Sequence, residues 1–420
     1  MKLRYVPLTA SLLVLSACDQ QAPATSQVKT PVAAEIRYEI PAEEASVFAS
    51  QLGLSAYTAM SLAAQEAQEL DSRLQSFLYH PNPMSLKEAH DAWRNAYSAY
   101  LQTLLYSSLP LSDPPDWNKK GIDLKQTMKL LDSWPIEGGY IDHVPGYAFS
   151  GIVNDLALEL NEESLLAQHG FSDPSYASLG YHPFEFMLWG ADGQRSARDF
   201  FPQENTAPVV LPAEGGNNTD ASGDPEPVAS TDGEEAGDSA SYEVDIQNHN
   251  RRRQYVQLLS DQLQKHLHRL QRRWEPSNGY YATLLQRSQP AQVITATLNA
   301  TQELLSGELL EKRLQGNSSE FSNTSYADVG SIVLGLRQFY LASSETDTPN
   351  GLAAVLPADK REELIGEWDR QLTLVDEAVA QWQQENGSEA SRQQCRQRII
   401  ELMSVLKHTA GVLNVPLAAE

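Results

Sequence analysis

Cysteine is nearly absent: the 420-residue chain holds two, Cys18 and Cys395. An internal disulfide framework is therefore excluded. Cations are scarce as well, 31 Lys and Arg against 55 Asp and Glu, for a formal net charge of −24. Phosphate would be repelled and no basic stripe compensates, so nucleic acid is not an expected partner. After the N-terminal stretch no run of about 18 apolar residues exists, and the body is expected to be soluble. Common catalytic signatures are missing too. There is no His-Glu-x-x-His, no Gly-x-Ser-x-Gly elbow, no P-loop and no dinucleotide fingerprint, and the nine histidines are scattered.

What is present begins with Met1-Lys2-Leu3-Arg4, an apolar run from Leu8 to Leu15, and Leu15-Ser16-Ala17-Cys18. Two early cations, a short apolar stretch and small residues before a cut describe a secretory signal. The ending resembles a bacterial lipobox, in which the Cys18 thiol is acylated and becomes the new N-terminus. The membrane is then a partner through the lipid, and the chain faces the periplasm. Asp19 resembles an inner-membrane retention signal, with the outer membrane as the alternative. Residues 1–17 are read as signal peptide and 18–34 as a polar lipidated tether. Cys395 lies in a helical pattern and reads as a half-buried small side chain.

Residues 35–202 form a first helical domain. Leu62, Leu70, Leu74, Phe77 and Leu78 recur at helical steps. Ser85-Leu86-Lys87-Glu88 fits a capping box. Leu86, Ala89, Trp93, Ala96, Tyr97, Tyr100 and Leu104 make one stripe. Short helical pieces are expected at Ile152 to Leu160 and Ser164 to Gln168, and a longer one from Tyr181 through Trp189. Residues 203–246 are rich in Pro, Gly, Ser, Asp and Glu. Between Gln203 and Asn250 stand eleven acidic residues and no Lys or Arg before Arg251. Such a segment cannot bury enough surface to offset the entropy of ordering it, and it reads as a disordered acidic insert. Residues 247–420 form a second helical domain. Tyr255, Leu259, Leu263, Leu267, Leu270 and Trp274 carry one stripe, and Leu364, Trp368, Leu372, Val375 and Val379 another. Further helices are expected near 289–306, 327–342, 358–383 and 389–407. The fold class is all-α: two helical bundles separated by the insert.

The segment with chemical content is Gly180-Tyr181-His182-Pro183-Phe184-Glu185-Phe186-Met187-Leu188-Trp189-Gly190. His182 and Glu185, three apart, share a helical face and could converge on one cation. Pro183 fits a first helical turn, which places His182 at the positive helix end and favours its neutral, metal-ligating form. Two ligands are not a site, and a surface ion pair or buried hydrogen bond is the plainer alternative. Phe184, Phe186, Met187, Leu188 and Trp189 read as core.

This segment resembles the Gly-x-His-x-x-Glu signature of the imelysin family. Trp134 to Asp142, Gly151-Ile152-Val153-Asn154-Asp155, the Arg195–Asp199 pair, Arg252, Tyr255 and Trp274, and Phe321-Ser322-Asn323-Thr324 with Asp328 resemble further family motifs. The resemblance implies a two-domain helical fold, an envelope location, and a site around the His-x-x-Glu pair, in a family classed with metallopeptidases and linked to iron regulation or uptake. Asp155, Arg195, Asp199, Asn323 and Asp328 become further site candidates. The sequence departs from the family at Tyr97 and Leu104, where relatives commonly place Arg and Glu.

Three functions follow as expectations. The first is an iron-uptake-related binding protein holding a divalent metal, iron or zinc, through His182 and Glu185, with oxygen ligands from Asp155, Asp199 or Asp328. The second is a metallopeptidase with Glu185 as base, although no complete catalytic constellation is seen. The third is a structural or interaction protein with a degenerate site and an envelope protein as partner.

Overall fold

α-Helix dominates the computed structural model, which describes residues 38–110, 123–203, 248–342 and 349–418. Cys18 with its signal and tether lies outside the described residues, as does the acidic insert beyond Gln203. Among the described residues there is no β-strand, only an isolated bridge between Val144 and Tyr147.

The first helix, α1 (Ala42–Tyr79), is built around a small-residue stripe: Ala45, Ala49, Ala56, Ala63, Ala64 and Ala67 are all buried. Alanine is the strongest helix former, and its small side chain lets neighbouring helices approach closely. Phe48, Leu52, Met60, Leu70, Leu74 and Phe77 complete that face. Leu62, expected in the stripe, is 38% exposed and points away from the core.

α2 (Pro83–Leu101) starts earlier than expected. The Asn82 side chain accepts from the Met84 and Ser85 amides, and Ser85 Oγ in turn accepts from the Asn82 amide. The capping box is therefore Asn82/Ser85, not Ser85/Glu88. Pro83, with no amide to satisfy, occupies the first turn. The expected stripe from Leu86 to Leu104 is buried throughout, although Leu104 belongs to the short α3 (Leu104–Ser107).

α4 (Leu124–Leu131), α5 (Glu162–Gln168) and α6 (Tyr181–Trp189) follow before the insert. Ile152 to Leu160 forms turns, not the expected helix. The cause is tertiary. Arg251 donates to the carbonyls of Ile152, Val153, Asp155 and Leu158, taking acceptors that a local helix would need.

After the insert come α7 (His249–Trp274), α8 (Tyr280–Arg287) and α9 (Pro290–Glu303). The chain continues from α9 without a break into a π-helical stretch, Leu304–Arg313. α10 (Ser325–Tyr340), α11 (Arg361–Gln384) and α12 (Glu389–Val412) complete the fold. The stripes on α7 and α11 are buried as expected, with Val379 partly exposed. The two sets of helices interlock: α1 packs against α2 on its own side of the insert and against α7 on the other, while α11 and α12 pair beside α10. Cys395 is fully buried in α12. No helix among the described residues is long and apolar enough to cross a membrane.

Candidate functional site

α6 is a nine-residue helix whose every residue is buried. Its position depends on Gly180. That residue has φ +110°, and a Cβ there would lie 2.6 Å from the Leu131 carbonyl oxygen. Only glycine combines that backbone with so close an approach. The N-terminus of α6 thus abuts the C-terminus of α4, and Asp132, the residue after α4, meets His182.

His182 and Glu185 do share a face. Nδ1 of His182 lies 3.1 Å from Glu185 Oε2, and both side chains are fully buried. On the other edge of the ring, Nε2 lies 3.0 Å from Asp132 Oδ1 and 3.0 Å from the Tyr97 hydroxyl. Glu185 is held further: its Oε1 accepts from the amide (2.8 Å) and hydroxyl (2.6 Å) of Ser322.

The centre of the cluster is Arg313, at the end of the π-helical stretch. It donates to Glu308 from Nε, to the Tyr97 hydroxyl from Nη1 and to Asp132 Oδ2 from Nη2, each at 2.6 Å. The Glu308–Arg313 pair spans five residues, the same interval as the hydrogen bonds of a π-helix. Asp328 stands 3.8 Å from Arg313 and accepts from Ser318 (2.5 Å) and Ser319 (2.8 Å).

The electrostatics follow from this wiring. Burial would push His182 down, but hydrogen bonds and charge from Asp132 and Glu185 outweigh it and raise it to about 9. Carboxylates are acceptors, so a ring flanked by one on each side carries both protons. The neutral form expected from the helix end is thus not the form this site favours, because two carboxylates outweigh a helix terminus. Burial would raise Asp132, yet Arg313 and His182 hold it far below the usual carboxylate range. Asp328 is less compensated, and burial lifts it to about 6. Arg313 stays well above its ordinary value through Asp132, Tyr97 and Glu308, although burial opposes this.

Two clefts flank the cluster. One, of about 490 Å³, is lined by Arg94, Tyr97, Ser322, Asn323, Tyr326 and Asp328. The other, of about 300 Å³, is lined by Tyr100, Leu104, Lys129, Asp132, Glu308 and Lys312. The cleft beside Leu104 therefore does hold a carboxylate, Glu308, but it belongs to Arg313.

Of the residues singled out in the sequence, Asp328 joins His182 and Glu185 in this cluster, and Asn323 lines the first cleft next to Ser322. Asp155 is exposed, and its side chain accepts from the Ala157 amide. Arg195 and Asp199 belong to a separate group around Asp142 and Arg252. Arg313 and Glu308 carry no local signal, since each reaches the site from a distant segment. Asp132 had only its place immediately ahead of the Trp134 loop, and Ser322 its place in the Phe321-Ser322-Asn323-Thr324 motif.

A divalent cation held by His182 and Glu185 needs a neutral imidazole lone pair and uncommitted carboxylate oxygens. Here both ring nitrogens face carboxylates, Asp132 is bound by a guanidinium, and Glu185 is bound by Ser322. The residues as arranged do not fit a resident metal. No group of three or more His, Cys, Asp or Glu among the described residues is placed to hold one.

An all-helical chain with a buried His-x-x-Glu centre is the class that these features define. The chain belongs to the imelysin family, whose family model (Peptidase M75, Imelysin) matches residues 54–412. No curated protein matches it. Among solved structures it is similar to an imelysin-like protein from Psychrobacter arcticum, with a TM-score of 0.58, 13% identity, and coverage of 91% of this chain and 100% of that one. It is also similar to a protein named as an iron-regulated protein A precursor from Parabacteroides distasonis, with a TM-score of 0.57, 13% identity, and coverage of 90% and 96%. At that identity the likeness is one of fold.

Proposed function

We propose that this chain is a non-hydrolytic, imelysin-like structural or interaction protein of the cell envelope, tethered through Cys18, in which the His182–Glu185 centre is a closed ion cluster and not a metal site. One observation carries this reading: Arg313 and a doubly hydrogen-bonded His182 supply the positive charge that a metal would otherwise bring. The same wiring engages Glu185, which is therefore not free to act as general base for peptide hydrolysis. The tether rests on the Leu15-Ser16-Ala17-Cys18 ending and the polar residues after it.

Isothermal titration with Zn²⁺ and Fe²⁺ at neutral pH tests the reading. The wild type and the His182→Ala/Glu185→Ala double variant are expected to give the same heats, with no chelator-sensitive cleavage of a peptide library. Metal binding that the double variant loses would overturn it.

A second reading, a divalent-cation binder linked to iron uptake, has one observation in its favour. Asp132 joins His182 and Glu185, so three side chains of ligating type share one buried cluster. The name of the Parabacteroides neighbour points the same way. It requires His182 to lose a proton and Arg313 to withdraw, so any such affinity would rise steeply with pH.

A further inference from the structure

Among the described residues four arginines are buried, Arg195, Arg252, Arg273 and Arg313, and in Arg252 and Arg313 every side-chain nitrogen is hydrogen-bonded. Arg313 makes the three short bonds described above. Arg252 grips Asp142 with Nε (2.7 Å) and Nη2 (3.1 Å) and donates from Nη1 to the Asp199 carbonyl at 3.1 Å. Arg195 is different. Its side chain is 2% exposed, yet its two hydrogen bonds, from Nη1 to Asp199 Oδ2 and to His143 Nε2, are both stretched to 3.5 Å. Nη2 approaches Asp142 Oδ2 at 3.1 Å without hydrogen-bond alignment, and Nε has no partner. A desolvated guanidinium with unmet donors is costly.

Arg195 is also placed to receive a ligand. It lines a cleft of about 590 Å³ together with His143, Gly190, Asp192, Ser196 and Asp199. The Phe186 ring backs the guanidinium at 5.8 Å. Gly190, at φ +75°, keeps side-chain bulk away from the Nε edge, where a Cβ would stand 3.5 Å from that nitrogen. Asp142, the one fully buried carboxylate nearby, is committed to Arg252, so it offers Arg195 only a misaligned contact. The rim is acidic: Asp192 is exposed and Asp199 is 30% exposed. Asp192 accepts from the Gln194 amide, and Asp199 has only the long contact to Arg195. A cationic floor under an acidic rim repels dianions and complements a molecule carrying one charge of each sign.

We propose that this cleft binds a small zwitterion of the α-amino-acid type, its carboxylate on Arg195 and its ammonium on Asp199. The carboxylate supplies the acceptors that Arg195 lacks, and a planar guanidinium suits it in two-point contact. The ammonium replaces Arg195 as the partner of Asp199. This site is separate from the His182 cluster, and its test is independent of the reading given there.

Calorimetric titration of the full chain with glycine, acetate and sulfate tests the proposal. Glycine is expected to bind more tightly than acetate, and sulfate not at all. Arg195→Gln should weaken both glycine and acetate about tenfold or more, the scale of one lost charged contact. Asp199→Asn, at a partly exposed position, should weaken glycine while leaving acetate equal or tighter. Melting curves confirm that each variant is folded. Should Arg195→Gln fail to fold, the opposite responses of the two probes to Asp199→Asn carry the test alone. No glycine binding up to about 10 mM, far weaker than a useful receptor site, would overturn the proposal. So would sulfate binding more tightly than glycine, or an Asp199→Asn variant that treats the two probes alike.

Discussion

The Tyr97 hydroxyl accepts a 2.6 Å hydrogen bond from Arg313, a residue 216 positions away in the chain. The same hydroxyl donates to Asp132 and touches His182. Tyr97, which the sequence presented as the loss of a cation, is thus the hub through which a cation from the other side of the insert enters the site.

Stability should fall in mild alkali because of His182. Its folded value, about 9, lies above its ordinary 6.5. The stabilisation is therefore fully present below 6.5 and disappears as pH rises through about 9. A shift of that size corresponds to a term on the order of 3 kcal/mol. Urea unfolding midpoints measured from pH 6 to about 10 check it. The slope should be present in the wild type and largely absent in His182→Asn.

Asp132 and Asp328 should respond unequally to loss of charge. Asp132→Asn strips the counter-ion from both Arg313 and His182 and is expected to cost about 3–5 kcal/mol at pH 7. Asp328, raised to about 6 from an ordinary 3.8, is destabilising when ionised, so the fold gains as pH falls from about 6 toward 3.8. Asp328→Asn keeps an acceptor for Ser318 and Ser319 and should cost less than about 1 kcal/mol at pH 7.5. Chemical denaturation of the two variants separates them. Equal losses would contradict the wiring described.

Arg313→Lys should not rescue the site. Lysine offers a point charge where three separate acceptors are met by three nitrogens of one planar fork. Both Arg313→Lys and Arg313→Met are expected to lose several kcal/mol, about 3–5 for Met, which leaves buried carboxylates uncompensated. Comparable stability of Arg313→Lys and wild type in urea would show that only net charge matters there.

Cys395 should be inert while the chain is folded. It is fully buried, and burial pushes its thiol up to about 12. Because the thiolate is the reactive form, a Cys18→Ser chain should resist thiol reagents at pH 8 and react on unfolding. Fast labelling under native conditions would place that thiol elsewhere.

The helices were legible because their periodicity is local. The α6 segment, Tyr181–Trp189, was readable from Pro183 in its first turn and its apolar content, and the α2 and α7 stripes were readable from their spacing. One turn of helix also sufficed to put His182 beside Glu185. Where local pattern and tertiary bonding competed, tertiary bonding prevailed: Ile152 to Leu160 has helical composition but surrenders its carbonyls to Arg251.

The sequence by itself determined an all-helical chain with an imidazole and a carboxylate on one helical face. Whether that pair faces a metal or an internal ion cluster was decided only by the tertiary structure. The reason is one of reach. A hydrogen bond or ion pair acts over about 3 Å, and the groups that set the charge of His182 arrive from 50 residues upstream in Asp132 and, through Glu185, from Ser322, 137 residues along the chain. No periodicity encodes such meetings, and packing alone brings them about.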